Sequence, residues 1–351
     1  MLNSKEYLFF FDLLRGRNPY NFADIDQNKL FEIFRRHRLL SILSDESINL
    51  LEHGIAVRWR EAIRSHTLRS LQLTGVLEEL IGKVNDVKLN VFPIKGPVLS
   101  QRLFGDIGKR HYNDLDLVVK REELSEVVEL LEGMGYKMAH PSKVLNRAQW
   151  DYYFKYKKDV ALINRESEVV IELHVEIFRQ ELIRAPEVTL TWDALVDKTI
   201  GTVPLKCLDL NISFLYLLYH GGQHQYFRLF WLKDIAEALD RWDLDHSRIL
   251  RYAADMGVDR LLGLGLLLSE EFFGSKIPPE YADYLKRNKS VVLKLKNICM
   301  KRISGPERES RSMKIRRYRF VLLLQPGPRY FVSILTNIFH RWYIRRRLGG
   351  F

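Results

Sequence analysis

Asp114 and Asp116 stand two residues apart in the run Asp114-Leu115-Asp116-Leu117-Val118-Val119. Side chains alternate along a strand, so both carboxyls point to one face. Neighbouring carboxylates repel and raise each other's pKa unless a cation lies between them. Mg2+ suits that place, being a hard cation that takes carboxylate oxygens and substrate phosphates together. The plainer reading is a polar strand start with one acid in a turn. A third acid, Glu172, lies in Val169-Val170-Ile171-Glu172-Leu173-His174-Val175, where alternation puts Val170, Glu172 and His174 on one face. An acid buried in such a strand needs a partner. If this strand neighbours the first, three carboxylates can hold two divalent ions against nucleotide phosphates while one helps deprotonate an attacking hydroxyl. Glu176 is a rival for the third place, and His174 is read as orienting the cluster.

Upstream, Lys95-Gly96-Pro97 places a cation and a glycine at a strand-to-helix turn. Helix N-terminal amides attract phosphate, and Gly96 lets the backbone approach it. Lys95 could neutralise a triphosphate, although neither a G-x-x-x-x-G-K-[ST] loop nor a G-x-G-x-x-G fingerprint is present. His220 and His224 have the i, i+4 spacing of a zinc pair. Gly221 follows the first of them, so the H-E-x-x-H pattern fails, and core or substrate-cleft histidines are the favoured reading. Asp234 is expected to pair with Lys233, Arg228 or one of those histidines.

The elements that must position these groups follow from periodicity and breakers. Residues 1–84 read as helices: Ser4 caps one running to Leu14, Asp24 begins a second, and a third over 55–82 carries Ala56, Trp59 and Ile63, then Leu68, Leu71, Leu77 and Leu80. Residues 85–204 read as an α/β unit, with strands at 89–94, 115–119, 160–164 and 169–177, the last two joined by the turn Arg165-Glu166-Ser167. Residues 205–300 return to helix. The remaining stretch, 301–351, is a basic helical tail.

Composition bounds the rest. Of 351 residues, 46% are hydrophobic and 28% charged, the balance of a globular chain rather than a disordered one. Cys207 and Cys299 stand alone, which excludes a disulfide scaffold or a cysteine-built zinc site. The longest apolar runs, 214–219 and 261–268, are too short to span a bilayer, and no signal peptide is read, so a cytoplasmic location is expected. The tail carries thirteen Lys and Arg against Glu307 and Glu309, which equals the whole net charge of +11. Its stripe Phe331, Ile334, Leu335, Ile338, Phe339 and Trp342, flanked by arginines, is expected to pack on the body. An anionic membrane surface and nucleic acid are its alternative partners.

Lys95-Gly96, Leu99, Phe104, Arg110, the Asn113–Val119 run and Glu172-Leu173-His174 together resemble the bacterial "nucleotidyltransferase family protein" group of the polymerase-beta-like nucleotidyltransferase superfamily. His220, His224, Arg228, Trp231-Leu232 and Asp234 are similar to that group's helical His…His…Trp-Leu-x-Asp stretch. The resemblance implies an α+β fold, a small mixed β-sheet core flanked by N-terminal and C-terminal helical regions. It implies transfer of a nucleoside monophosphate from an NTP to an acceptor (small molecule, peptide or protein). It names Asp114, Asp116 and Glu172 as metal and catalytic acids, served by two Mg2+ ions or by Mn2+. Lys95, Gly96, Ser100 and Arg110 are expected at the phosphates, and His174, His220, His224, Arg228 and Asp234 at the substrate cleft. The Gly-Ser pair that usually precedes the Asp-x-Asp strand is missing, with Ser100 the nearest hydroxyl. The alternative is therefore a catalytically inactive binding protein or toxin–antitoxin-type component on the same fold.

Overall fold

Local capping starts the N-terminal helices. The computed structural model describes residues 4–17, 22–178, 192, 195–306, 311–325, 332, 336, 339–340 and 342–348. Ser4 accepts a hydrogen bond from the Tyr7 amide and opens α1 (Lys5–Leu14), as expected. Asp26 does the same for α2 (Gln27–His37) through the Lys29 amide. That start falls later than Asp24, which closes a 3-10 turn instead. After the short α3 (Asp45–Asn49), α4 (His53–Asp86) runs unbroken for 34 residues. Its first turns bury Ile55, Ala56 and Trp59, and its later turns bury Leu73, Leu77, Leu80, Ile81 and Val84. These sets belong to two different apolar cores. The buried face therefore shifts midway, leaving Leu68 and Leu71 exposed rather than in the stripe. One helix thus ties the two layers together, crossing the boundary expected at residue 84.

Five strands build the central sheet: β1 (Val91–Pro93), β2 (Asp114–Val119), β3 (Lys137–His140), β4 (Asp159–Asn164) and β5 (Val169–His174). Their order is β1-β2-β5-β4-β3. β2 and β5 are parallel, and the other pairs are antiparallel. Helices α5 (Gly96–Phe104), α6 (Leu124–Gly133) and α7 (Arg147–Tyr156) lie in the connections. Leu115, Leu117 and Val119 of β2 and Val169, Ile171 and Leu173 of β5 share one core with the later turns of α4. Alternation sends Asp116, Glu172 and His174 to the other face. There Phe92 and Val118 join the helical core. A second, two-stranded sheet pairs β6 (Val196–Ile200) with β7 (Val203–Cys207). Neither this hairpin nor β3 and α7 was expected from the sequence.

The helical layer is made by both ends of the chain. Helices α8 (Leu210–Gln223), α9 (Phe230–Arg241), α10 (His246–Met256), α11 (Asp259–Phe273) and α12 (Ala282–Ile303) share one core with α1 and α2. Phe11 meets Phe272 with ring centroids 5.1 Å apart. Gly221 and Gly222 do not make α8 irregular. A methyl on Gly221 would lie 2.3 Å from Tyr226 Cε1, and one on Gly222 would lie 2.4 Å from Leu261 Cδ2. The close approach of α11 requires Gly222, and the Tyr226 ring of the following loop requires Gly221.

Beyond these, α13 (Arg311–Leu324) packs on α12. Ile344 and Leu348, in a π-helical turn, bury in the sheet core, and the His340 ring stacks on Tyr156 at 3.8 Å. This end of the tail therefore packs on the body through Ile344, Leu348 and His340. Phe339 and Trp342 are 61% and 54% exposed. Phe331, Ile334, Leu335 and Ile338 lie outside the described residues. No helix among the described residues is long and apolar enough to cross a membrane.

Candidate active site

The parallel pairing of β2 with β5 sets Asp116 and Glu172 opposite each other, and Val118 opposite His174. His174 Nε2 lies 3.1 Å from Asp116 Oδ1 and 3.6 Å from Glu172 Oε2. Lys95 Nζ reaches the same Asp116 oxygen at 2.7 Å. Lys95 arrives there because β1 ends beside β2 and Gly96, at φ 66°, turns the chain into α5. That left-handed conformation favours glycine. No side chain caps the N-terminus of α5. From the helical layer Tyr216 of α8 brings a fully buried phenol into the field of Lys95 and Asp116. The opening is at Glu172, whose side chain is 27% exposed; Lys95 is 14% exposed, and Asp116 and His174 are 3% exposed.

Burial alone would raise the Asp116 carboxyl. The Lys95 ammonium and the His174 hydrogen bond outweigh it and hold Asp116 below the usual carboxylate range. Burial would likewise lower Lys95, but Asp116, Tyr216 and Asp114 keep it firmly charged. Glu172 goes the other way. Burial first, then the negative charge of Asp116, pushes it up to about 8 despite Lys95. Asp114 is also raised, by burial and by Asp116. One lysine thus does not neutralise three carboxyls, and the site has room for more positive charge.

Donor chemistry and spacing fit a divalent cation. Among the described residues, Asp116, Glu172 and His174 are the one set of three His, Cys, Asp or Glu whose donor atoms lie within 4.8 Å of one another. Two carboxylates and an imidazole suit Mg2+ or Mn2+. Asp114 faces the same side but stands outside this set. His174, read from sequence as orienting the cluster, stands inside it.

Other expected site residues are placed differently. Arg110 does not face the acids: its Nε donates to Asp234 Oδ2 at 3.0 Å, with both side chains buried. Asp234 therefore pairs with none of the expected partners, and Lys233 reaches Glu237 instead. Burial outweighs the Arg110 charge and pushes Asp234 up to about 6. Ser100 is not offered to a phosphate. Its fully buried hydroxyl donates to the Asp106 carbonyl at 2.7 Å and accepts from the Arg110 amide at 3.2 Å. His220 stacks on Tyr216 and His224 on Trp231, and the two imidazoles meet edge-on at 5.1 Å. The Arg228 guanidinium lies over Phe227 at 5.1 Å.

Two neighbours of the site were not read from the sequence. Asp159 Oδ2 lies 3.7 Å from His174 Nδ1, across the β4–β5 hairpin. Counting register outward from the turn pairs residue 159 with residue 174, so that signal was present. Tyr216 carried none, because it stands beside Phe214 and Tyr219 in a largely apolar helix.

A small mixed sheet thus presents paired acids to a helical layer, with a lysine at the adjoining strand-to-helix turn. Residues 23–274 match the model of a family described as uncharacterised nucleotidyltransferase, and the chain belongs to that family. The match ends after α11, so α12, α13 and the basic tail lie beyond it. No curated protein and no solved structure matches the chain.

Proposed function

We propose that the protein is a metal-dependent enzyme of polymerase-beta-like type, of the bacterial group its motifs resemble. It moves a nucleoside monophosphate from an NTP to a hydroxyl of an acceptor. The observation that carries this reading is the register pairing of Asp116 with Glu172, with Lys95 and His174 closing on Asp116. Asp116, Glu172 and His174 would hold a divalent cation, Mg2+ or Mn2+, with Asp114 beside them for a second. When bound, such ions neutralise phosphate charge and orient the reacting groups.

The acceptor oxygen forms a bond to the α-phosphorus as the bond from that phosphorus to the α–β bridging oxygen breaks. Pyrophosphate leaves with that oxygen. Glu172, the most basic carboxyl of the cluster, accepts the hydroxyl proton. Lys95 and the uncapped N-terminus of α5 attract the phosphates. Before a cation takes its Nε2, His174 fixes the Asp116 carboxylate through that nitrogen, and Tyr216 closes the site from α8.

Pyrophosphate release tests the reading. Wild-type protein with each NTP, Mg2+ and candidate acceptors should release pyrophosphate rather than orthophosphate, and Asp116→Asn should abolish it. Release that survives Asp116→Asn combined with Asp114→Asn would refute it. The committed Ser100 hydroxyl favours a second reading, the inactive binding protein. Calorimetry that finds no NTP binding with Mg2+ present, while a protein partner co-purifies, would select it.

A further inference from the structure

We infer that a cavity beside the acid cluster is a binding site for a phosphate group of the substrate. The cavity, of about 430 Å³, lies where the end of α2, the middle of α4 and the loop before β2 meet. Arg35, Arg38, Arg69, His66 and His111 line it with Asn113, and no Asp or Glu is among its lining residues. Three guanidinium groups around one concavity, with low-dielectric walls and no carboxylate lining it, focus a positive potential. Phosphate chemistry matches such a surface, since guanidinium forks donate to its oxygens.

The lining residues divide by role. Arg69 donates to the carbonyls of Asn113, Ser167 and Glu168, and Arg35 pairs with Glu32, so both supply field while building the wall. The imidazoles of His66 and His111 stack in parallel with centroids 4.7 Å apart. His66 donates Nε2–H to the Arg110 carbonyl at 3.0 Å. His111 Nδ1 is buried with no hydrogen-bond partner among the described residues. Such an atom is unfavourable unless something satisfies it, and a phosphate oxygen or P–OH would. Arg38, on the same wall, ends α2 at φ 58°, in the left-handed region where glycine is favoured.

Location makes the cavity a substrate subsite. Asn113, on its wall, immediately precedes Asp114, and the Arg38 charge acts on the Asp114 carboxyl. The anion site stands on its own residues. Its role as a subsite rests on the nucleotidyl-transfer reading. The phosphate has two sources, the polyphosphate of the NTP and a phosphate ester on the acceptor.

Calorimetric titration of the full chain with inorganic phosphate, at low salt and without metal, tests the inference. Saturable one-to-one binding is expected, weakened about tenfold or more in Arg38→Gly. That variant keeps the left-handed backbone without strain, so its Tm should equal or exceed wild type. No saturable binding, or Arg38→Gly binding unchanged, would overturn the inference. Should Arg38→Gly fail to fold, Arg38→Gln and phosphate-induced shifts of the His66 and His111 imidazole resonances give the same decision.

Competition then separates the sources. Expulsion of phosphate by NTP with Mg2+ assigns the site to the donor, whereas simultaneous binding assigns it to a phosphorylated acceptor, and either result supports the site. Phosphate binding in a protein without NTP turnover would remove only the subsite role. NTP turnover in a protein whose cavity takes no phosphate would overturn this inference alone.

Discussion

Asp116 is the residue on which every other group in the site converges, with Lys95 and His174 both on its Oδ1. Removing its charge should therefore do more than remove one ligand. Asp116→Asn leaves Lys95 buried beside a neutral amide, and turnover should fall by about 10²–10³ or more, measured as pyrophosphate release. Lys95→Gln should fall in parallel. Glu172 makes a different prediction. Its carboxyl is pushed up to about 8, so below that pH a metal must displace a proton to bind there. Metal affinity should thus rise with pH from about 6 to about 8 and then level, with proton release on binding. Mn2+ titration followed by electron paramagnetic resonance at pH 6.5 and 8.5 checks this. An affinity that does not change between them would show that Glu172 is not a ligand.

At the scale of elements, two joints carry predictions. Gly96 turns β1 into α5 at φ 66°, and Gly96→Ala forces a side chain into the left-handed region. Stability should fall by about 1–2 kcal/mol, read by chemical denaturation, and turnover should drop because Lys95 is displaced. The Arg110–Asp234 pair pins the loop before β2 to α9. Breaking it with Asp234→Asn leaves a buried guanidinium uncompensated and should cost about 3–5 kcal/mol. Replacing both partners with apolar residues should cost less, and a double-mutant cycle measures the difference.

How far these elements were legible depended on whether their signal was local. β2, β4 and β5 were apolar runs between breakers, so their existence and the shared face of Asp116 with Glu172 and His174 could be read. β3 and β6 expose polar residues such as Lys137, Asp197 and Lys198 and carry little apolar pattern. The Arg110–Asp234 pair spans 124 residues, and no spacing rule reaches that far. Ser100 and Arg110 were expected at the phosphates from the family resemblance, and tertiary contacts engage both.

For the whole molecule, the two terminal helical regions form one layer, and the acids lie between that layer and the sheet. His37 joins the ends of this layer. Its Nδ1 accepts the Leu229 amide at 3.3 Å, and complete burial pushes the imidazole down to about 3. The folded ring is neutral, while the unfolded ring takes a proton near 6.5. The stability this contributes is present above about pH 6.5 and is lost as pH falls toward 3. From pH 7 to pH 5 wild type should lose about 2 kcal/mol more than His37→Phe, measured by urea denaturation at the two pH values.

The central claim is that Asp116 and Glu172 serve nucleotidyl transfer, and label transfer tests it most directly. With α-phosphate-labelled NTP, Mg2+ and fractionated acceptors, wild-type protein should move label onto an acceptor. Asp116→Asn and Glu172→Gln, folded by circular dichroism, should not. Label moved equally well by both variants would contradict the account.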